Sequence, residues 1–250
     1  MILSGFSLTA GAESTDSIAT PSGINLSELE QFVDDYAQRY IGTMTAGDVI
    51  AIVKDGELLL NKAYEYASIE NQLKVDVDTV FEWGSATKLL VWTSVMQLVV
   101  QGKLDLNRDI SDYLPDNYFT KIRFDAPITI YNLMHHNAGW EDQVTDLFYH
   151  SATDILSLEE TMDIVEPKQV WEPGTVTAYS NYGTALAGYI VEVISGQPFY
   201  EYVNESIFAV LNMTHTAIHP YQEDNEFVAK ASRRNASQLL RRLQSPDRER

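Results

Sequence analysis

Residues 85–104 read SATKLLVWTSVMQLVVQGKL, an apolar run with the length of a helix. Its hydrophobic side chains fall on nearly every face of such a helix, and Gly102 is well placed to end it as a C-cap. A helix that is apolar all round is usually buried in the centre of a domain. The run therefore predicts a buried central helix.

The first four residues of this run, Ser85-Ala86-Thr87-Lys88, allow two interpretations. In the first, Ser85 is a nucleophile, and Lys88, one turn away on the same helical face, is the base that activates it. Apolar surroundings and the positive end of the helix would lower the pKa of Lys88, and the Ser85 N–H could stabilise an oxyanion. In the second, Ser85 caps the helix beside a solvated lysine. A Ser-x-x-Lys pattern arises about once by chance in a chain of this length, so these four residues alone favour the cap.

Two Tyr-x-Asn sequences could supply further polar groups. The first, Tyr202–Asn204, falls within an amphipathic helical pattern with its tyrosine facing inward, so we interpret it as structural. The second, Tyr179–Asn181, follows a Pro-Gly turn and precedes a helix rich in small residues. A loop position lets a phenol and an amide point into a cleft. There the tyrosine could relay protons to and from Ser85, and the asparagine could hold Lys88 and a substrate amide.

Four segments of the chain form an ordered set. They are DTVFEWGSATK at 78–88, LVVQGKLDLNRDISDYLPD at 98–116, ITIYNLMHHNAGW at 128–140, and 171–216, which begins WEPGTVTAYSNYG. Together they resemble the class C β-lactamase and D,D-carboxypeptidase group of serine hydrolases, over roughly residues 28–220. The sequence differs from that group where Asn-Ala-Gly stands in place of the more usual Thr-Ser-Gly.

The resemblance implies a fold and a set of roles. The fold would be α+β, of the β-lactamase/transpeptidase type, with a helical region beside an antiparallel sheet. Ser85 would be the acylated nucleophile and Lys88 its base. Tyr179 would be a general acid/base, and Asn181 would bind substrate. Which group takes the first proton is disputed even among relatives.

The third motif of that group, Lys-[Ser/Thr]-Gly or His-x-Gly on a strand beside the cleft, is not found in the sequence. The lysines and histidines after Asn181 are His215, His219 and Lys230, none is followed two residues later by glycine, and Gly196 is the last glycine. We therefore expect a C-terminally truncated or frameshifted family member. It would keep the helical region and two N-terminal strands but lack the C-terminal strands of the sheet.

This expectation divides the chain into three parts. Residues 1–25 would be a signal-peptide remnant and linker, because Ala10-Gly11-Ala12 resembles a cleavage site although no basic segment precedes it; a disordered N-terminus is the alternative. Residues 26–229 would form a partial β-lactamase-like domain. Residues 230–250 carry seven Lys or Arg and two Asp or Glu. They would be an atypical basic tail, either frameshifted, disordered, or a cationic amphipathic helix.

A β-hairpin is predicted near the N-terminus. Residues 48–66 read DVIAIVKDGELLLNKAYEY, in which two β-rich runs flank Asp55-Gly56. Asp-Gly between such runs is a strong hairpin signal. We place the strands at about 48–54 and 57–66.

Composition narrows the function classes. A net charge of −19 argues against nucleic acid or an anionic membrane surface as the main partner. The chain has no cysteine, which excludes disulfides, thiolate ligands and a cysteine nucleophile. No Gly-rich phosphate loop is present, and His135-His136 lacks the matching spacing of a metal site. We therefore expect no cofactor and no metal.

The combined prediction is a serine hydrolase that acts through an acyl-enzyme on β-lactam or D-Ala-D-Ala-type amide bonds. Its partner would be a small-molecule or peptidoglycan-peptide substrate outside the cytoplasm of a bacterium. A membrane anchor in a longer parent protein and the oligomeric state are left open. Two alternatives are a catalytically impaired, truncated binding domain and an esterase on the same scaffold.

Overall fold

The computed structural model describes residues 19–20, 22–142 and 156–218. These residues group into two compact units, which divide between Thr79 and Val80. The predicted basic tail at 230–250 and most of the predicted leader lie outside the described residues.

The first unit combines one helix with a small sheet. A 3-10 turn at Leu26–Glu28 leads into helix α1. The elements that follow are α1 (Leu29–Ala37), β1 (Gly47–Lys54), β2 (Glu57–Ser68) and β3 (Leu73–Lys74). The three strands are antiparallel in the order β1-β2-β3. The two predicted strands are thus confirmed. The third was not predicted, because two residues are too few to show a pattern of alternation.

The hairpin between β1 and β2 has the predicted turn. Asp55 and Gly56 both have positive φ, 52° and 81°, and Lys54 pairs with Glu57 across the turn. Two consecutive residues with positive φ are typical of the type I′ turn, whose twist matches that of the strands. The Asp-Gly dipeptide therefore sets the pairing next to the turn, and the register shifts once further along, between Ile52 and Val53.

The second unit is helical over its described residues. It contains a 3-10 turn at Gly84–Thr87, α2 (Lys88–Val100), a 3-10 turn at Ile110–Tyr113, α3 (Ile130–Met134), α4 (Leu158–Val165), α5 (Asn181–Ser195) and α6 (Phe199–Val203), which runs into a π-helical turn at Asn204–Phe208. None of the helices in the described ranges is long and apolar enough to cross a bilayer.

Helix α5 lies at the centre of this unit. It packs against α2, α3, α4 and α6. Gly188 faces Leu158 of α4 and Phe199 of α6, at a distance where a Cβ would make ordinary van der Waals contact with both side chains at 3.8 Å. The Ser180 hydroxyl caps the helix start by accepting from the Gly183 N–H at 3.1 Å.

Helix α2 is buried on one face only, so the prediction of burial all round is wrong. Its buried residues are Leu90, Val91, Ser94, Val95 and Leu98. On the other side Leu89 is 66% exposed and Val100 is 85% exposed. The reason is geometric, since α5 and α6 cover one side of α2 and an apolar sequence does not say which face is covered. Gly102 has φ 69° and follows the last helical turn, as expected of a residue that ends a helix.

The burial of α5 generates a stability prediction. Leu186→Ala should lower the free energy of unfolding by about 2–5 kcal/mol, because Leu186 is fully buried and truncation leaves a cavity. The control Val193→Ala, on the exposed side of the same helix, should change it by less than about 1 kcal/mol. Urea denaturation of both variants measures the difference. Equal losses would contradict the assignment of the buried face.

Candidate active site

Ser85 and Lys88 meet at the start of α2. Ser85 lies in the 3-10 turn, in which side chains three residues apart eclipse one another, so Lys88 comes directly beside it. The Lys88 Nζ donates to the Ser85 Oγ at 3.2 Å. The residue at the N-cap of α2 is Thr87, and its side chain makes no capping bond. The helix-cap interpretation of Ser85 is therefore wrong.

Tyr179 and Asn181 reach the same point from the start of α5. The Tyr179 hydroxyl lies 2.6 Å from the Ser85 Oγ, and either oxygen could be the donor. The Lys88 Nζ donates to the Asn181 Oδ1 at 2.7 Å and sits 4.8 Å from the centre of the Tyr179 ring. The structure thus brings all four predicted site residues together, although Tyr179 is 94 residues from Ser85 along the chain.

The charge of Lys88 acts on the Tyr179 phenol. Hydrogen bonds with Lys88, and secondly with Ser85, lower the pKa of Tyr179 below its ordinary value of 10.0. A cation beside a phenol favours the phenolate over the neutral form. Tyr179 is 45% exposed and Ser85 is exposed, so solvent and a substrate can reach both oxygens. The arrangement can therefore move a proton at an accessible serine.

His136 belongs to the site but was not predicted. Its backbone oxygen accepts from the Ala178 N–H at 2.7 Å, and its Nδ1 accepts from the Ser180 N–H at 3.2 Å. These two bonds hold the chain on both sides of Tyr179, and the His136 ring lies 4.6 Å from the Tyr179 ring. Burial, and secondly the charge of Lys88, lower the pKa of His136, which favours the neutral ring that this acceptor role requires.

Asp142 is a second residue that sequence reasoning missed. Its Oδ1 accepts from the Asn181 N–H at 2.9 Å, and its Oδ2 accepts from the Asn181 Nδ2 at 3.0 Å. Asp142 lies 39 residues before Asn181. No short motif or periodic pattern connects the two positions, so only the folded chain could reveal the contact.

The segment that carries His136 and Asp142 is held by backbone bonds around Gly139. The Gly139 oxygen accepts from the Val170 N–H at 2.8 Å and the Trp171 N–H at 3.1 Å. Gly139 has φ 96°, and a Cβ at this position would lie 2.0 Å from the Trp171 oxygen. Glycine is therefore required here, both by its conformation and by the close approach of the neighbouring chain.

Other candidates from the sequence lie elsewhere. Tyr202 is buried in α6, which confirms its structural interpretation. His135 stacks on Tyr131 with ring centres 4.0 Å apart. Within the described ranges, no three His, Cys, Asp or Glu side chains come close enough together to hold a metal ion.

Comparison with known proteins identifies the family. A family model described as Beta-lactamase matches residues 30–249, which is most of the chain. The chain belongs to the β-lactamase family. The matched range includes all four predicted site residues together with His136 and Asp142.

Two curated bacterial relatives support this assignment. One is a protein of Escherichia coli (strain K12) that is named as a possible D-alanyl-D-alanine carboxypeptidase. It is 27% identical over 220 residues, which cover 82% of this chain and 50% of that protein. The other, from Bacillus subtilis (strain 168), has a name that proposes a penicillin-binding protein, PbpX. It is 27% identical over 189 residues, covering 76% of this chain and 46% of that protein. The chain thus spans about half the length of these relatives.

A solved structure supports the fold. The β-lactamase/D-alanine carboxypeptidase of Yersinia pestis superposes with a TM-score of 0.69 at 21% identity, covering 81% of this chain and 59% of that one. This chain therefore has the predicted fold class, the β-lactamase/transpeptidase-like fold with helices and an antiparallel sheet.

Gly139 generates a prediction about the site segment. Gly139→Ala should lower the free energy of unfolding by roughly 3 kcal/mol, because the new Cβ meets a backbone oxygen at a strained φ. Gly102→Ala is the matched control, since Gly102 also has positive φ but nothing lies within 4 Å of its Cβ position. It should cost about 1 kcal/mol. Thermal unfolding of both variants makes the comparison, and an equal loss would show that the contact with Trp171 does not matter.

Proposed function

We propose that this chain is a serine hydrolase that acylates Ser85 with the carbonyl of a β-lactam or a D-Ala-D-Ala-type peptide. The observation that carries the proposal is the position of the Ser85 Oγ, 2.6 Å from the Tyr179 hydroxyl and 3.2 Å from the Lys88 ammonium. A serine hydroxyl needs such neighbours, because it is a poor nucleophile by itself. Family membership supports the same chemistry.

In the acylation step, the Ser85 Oγ attacks the carbonyl carbon as its proton passes to the Lys88–Tyr179 pair. The lowered pKa of Tyr179 supports the phenolate as the first acceptor, with Lys88 as its counter-charge. The C–N bond then breaks, and the pair returns the proton to the leaving nitrogen. An ester of Ser85 and an amine are formed, so atoms and charge balance; the amine departs from a peptide substrate and stays attached to the acyl group of an opened β-lactam ring. The Ser85 N–H would serve as one oxyanion donor.

In the deacylation step, Lys88 and Tyr179 activate a water molecule. Water attacks the Ser85 ester, its proton passes to Tyr179, and the C–O bond breaks. The proton then returns to the Ser85 Oγ, which restores the resting hydroxyl. The cycle requires that Lys88 stay beside both oxygens, and its bond to the Asn181 Oδ1 at 2.7 Å supports that position.

Accessibility and the names of the relatives support the proposed substrate class. Ser85 is exposed, so a bulky substrate such as a peptidoglycan peptide can approach it. The E. coli relative is named for D-alanyl-D-alanine, and the B. subtilis relative is named for penicillin binding. A peptidoglycan substrate would place the protein outside the cytoplasm. Asn181 would contribute to binding of the substrate amide through the second N–H of its Nδ2.

The nucleophile is tested with a fluorescent penicillin. The wild-type chain should become covalently labelled, and Ser85→Ala should abolish the labelling because no acyl-enzyme can form. Ser111→Ala, at an exposed serine outside the site, is the control and should label like wild type. Denaturing electrophoresis with fluorescence detection measures the label.

Three outcomes would go against the proposal. Absence of label at every dose would indicate a binding domain without acylation. Label that persists in Ser85→Ala would indicate another nucleophile. Hydrolysis of short acyl esters by a chain that takes no penicillin label would favour the esterase.

The role of the Lys88–Tyr179 pair is tested by pH. Lys88→Gln should slow acylation about a hundredfold or more. The acylation rate of this variant should also increase with pH around a higher midpoint than the wild-type rate does. The reason is that loss of the cation lets the Tyr179 pKa return toward 10.0. Lys88→Arg keeps the charge and should keep the wild-type midpoint. Stopped-flow acylation rates across pH give the midpoints, and an unchanged midpoint in Lys88→Gln would argue against Tyr179 as the titrating group.

A further inference from the structure

Asp142 makes two hydrogen bonds to a single residue of the site. One carboxylate oxygen accepts from the main-chain N–H of Asn181 at 2.9 Å, and the other accepts from its side-chain Nδ2 at 3.0 Å. A contact to both the main chain and the side chain of one residue restricts rotation of that side chain. Asp142 therefore limits the directions in which the Asn181 amide can point.

The chemistry of the two neighbours selects one orientation of that amide. An ionised carboxylate only accepts hydrogen bonds, and an ammonium only donates them. The Asn181 amide lies between Asp142 and Lys88, so its NH₂ must face the carboxylate and its oxygen must face the lysine. This is the arrangement in the structure, where the Lys88 Nζ lies 2.7 Å from the Asn181 Oδ1.

The position of Asn181 in the fold makes this contact favourable. Asn181 is the first residue of α5, a helix of 15 residues. A carboxylate at a helix N-terminus is stabilised by the helix dipole and by the N–H groups that lack a helical partner. The Asp142 carboxylate accepts one of these N–H groups directly. It is thereby anchored to the backbone that carries the site.

We propose that Asp142 is a positioning residue that fixes the orientation of the Asn181 amide and, through it, the place of Lys88 beside Ser85. The proposal rests on the proposed acylation of Ser85. Without the Asp142 carboxylate the amide can rotate by half a turn, which points an NH₂ donor at the lysine ammonium. Lys88 then loses the Asn181 oxygen, which accepts its hydrogen bond at 2.7 Å.

Asp142 contacts the site at Asn181, and its charge also acts weakly on the pKa of Tyr179. Both bonds that define its place in the site go to that residue. Asp142→Asn keeps the size of the side chain but has a single acceptor oxygen, so it can serve only one of the two Asn181 donors. Asp142→Ala serves neither. A positioning role thus predicts a lower acylation rate even in Asp142→Asn, whose side chain has nearly the same shape as that of Asp142.

The first experiment separates chemistry from binding and from folding. Pre-steady-state acylation by a chromogenic cephalosporin gives the acylation rate constant, the dissociation constant of the first complex, and the fraction of protein that reacts. Asp142→Asn and Asp142→Ala should lower the rate constant about tenfold, as expected for a lost charged hydrogen bond. The dissociation constant should rise by a smaller factor than the rate constant falls, because Asn181 also binds the substrate amide, and the reacting fraction should stay the same. Glu141→Gln, at the adjacent exposed carboxylate, removes a similar charge and should react like wild type.

The second experiment tests whether the effect passes through Asn181. Asp142→Ala should lower the rate constant about tenfold in the wild-type chain but by less than about twofold in an Asn181→Ala background. Equal losses in both backgrounds would overturn the proposal. So would a loss confined to the dissociation constant, or one confined to the reacting fraction, since these indicate substrate contact and folding respectively.

The two proposals fail in different ways. If the wild-type chain is never acylated, the proposed function fails. If the wild-type chain is acylated and both Asp142 variants match it, the reaction stands and the positioning role is wrong.

Discussion

The contact between Lys88 and Asn181 is the interaction on which the rest of the site depends. It joins the start of α2 to the start of α5, and it exists because these two helices pack against each other in the second unit. Ser85 precedes α2 and Tyr179 precedes α5, so the same packing brings their oxygens to 2.6 Å. The site is therefore a consequence of how two buried helix faces meet.

The convergence of two helix starts also sets the electrostatics of the site. Helix N-termini carry partial positive charge, and Lys88 adds a full positive charge at the same place. Such a field favours a phenolate at Tyr179 and negative charge on a substrate oxygen. The Asp142 carboxylate at the start of α5 offsets part of that field. Its opposing effect is visible in Tyr179, whose pKa it raises while the hydrogen bond with Lys88 lowers it more strongly.

Features with short-range causes could be predicted from the sequence. The Asp55-Gly56 turn and its two strands, the small-residue helix α5, and the pairing of Ser85 with Lys88 each depend on residues near one another in the chain. The errors have long-range causes. Exposure of Leu89 and Val100 depends on which side of α2 its neighbours cover, and the contacts of His136 and Asp142 span about 40 residues. The division into domains and the roles of the site residues stay predictions.

The sequence by itself determined the family, the fold class and four of the side chains that come together in the site, those of Ser85, Lys88, Tyr179 and Asn181. It could do so because residue types, local spacing and the order of segments are properties of the chain. Only the tertiary structure decided which partner each polar atom takes. Examples are the hydrogen bonds between Asp142 and Asn181 and the two hydrogen bonds by which His136 holds the chain on both sides of Tyr179. Those choices depend on distances between segments far apart in the chain, and the packing of α5 against its neighbours sets these distances.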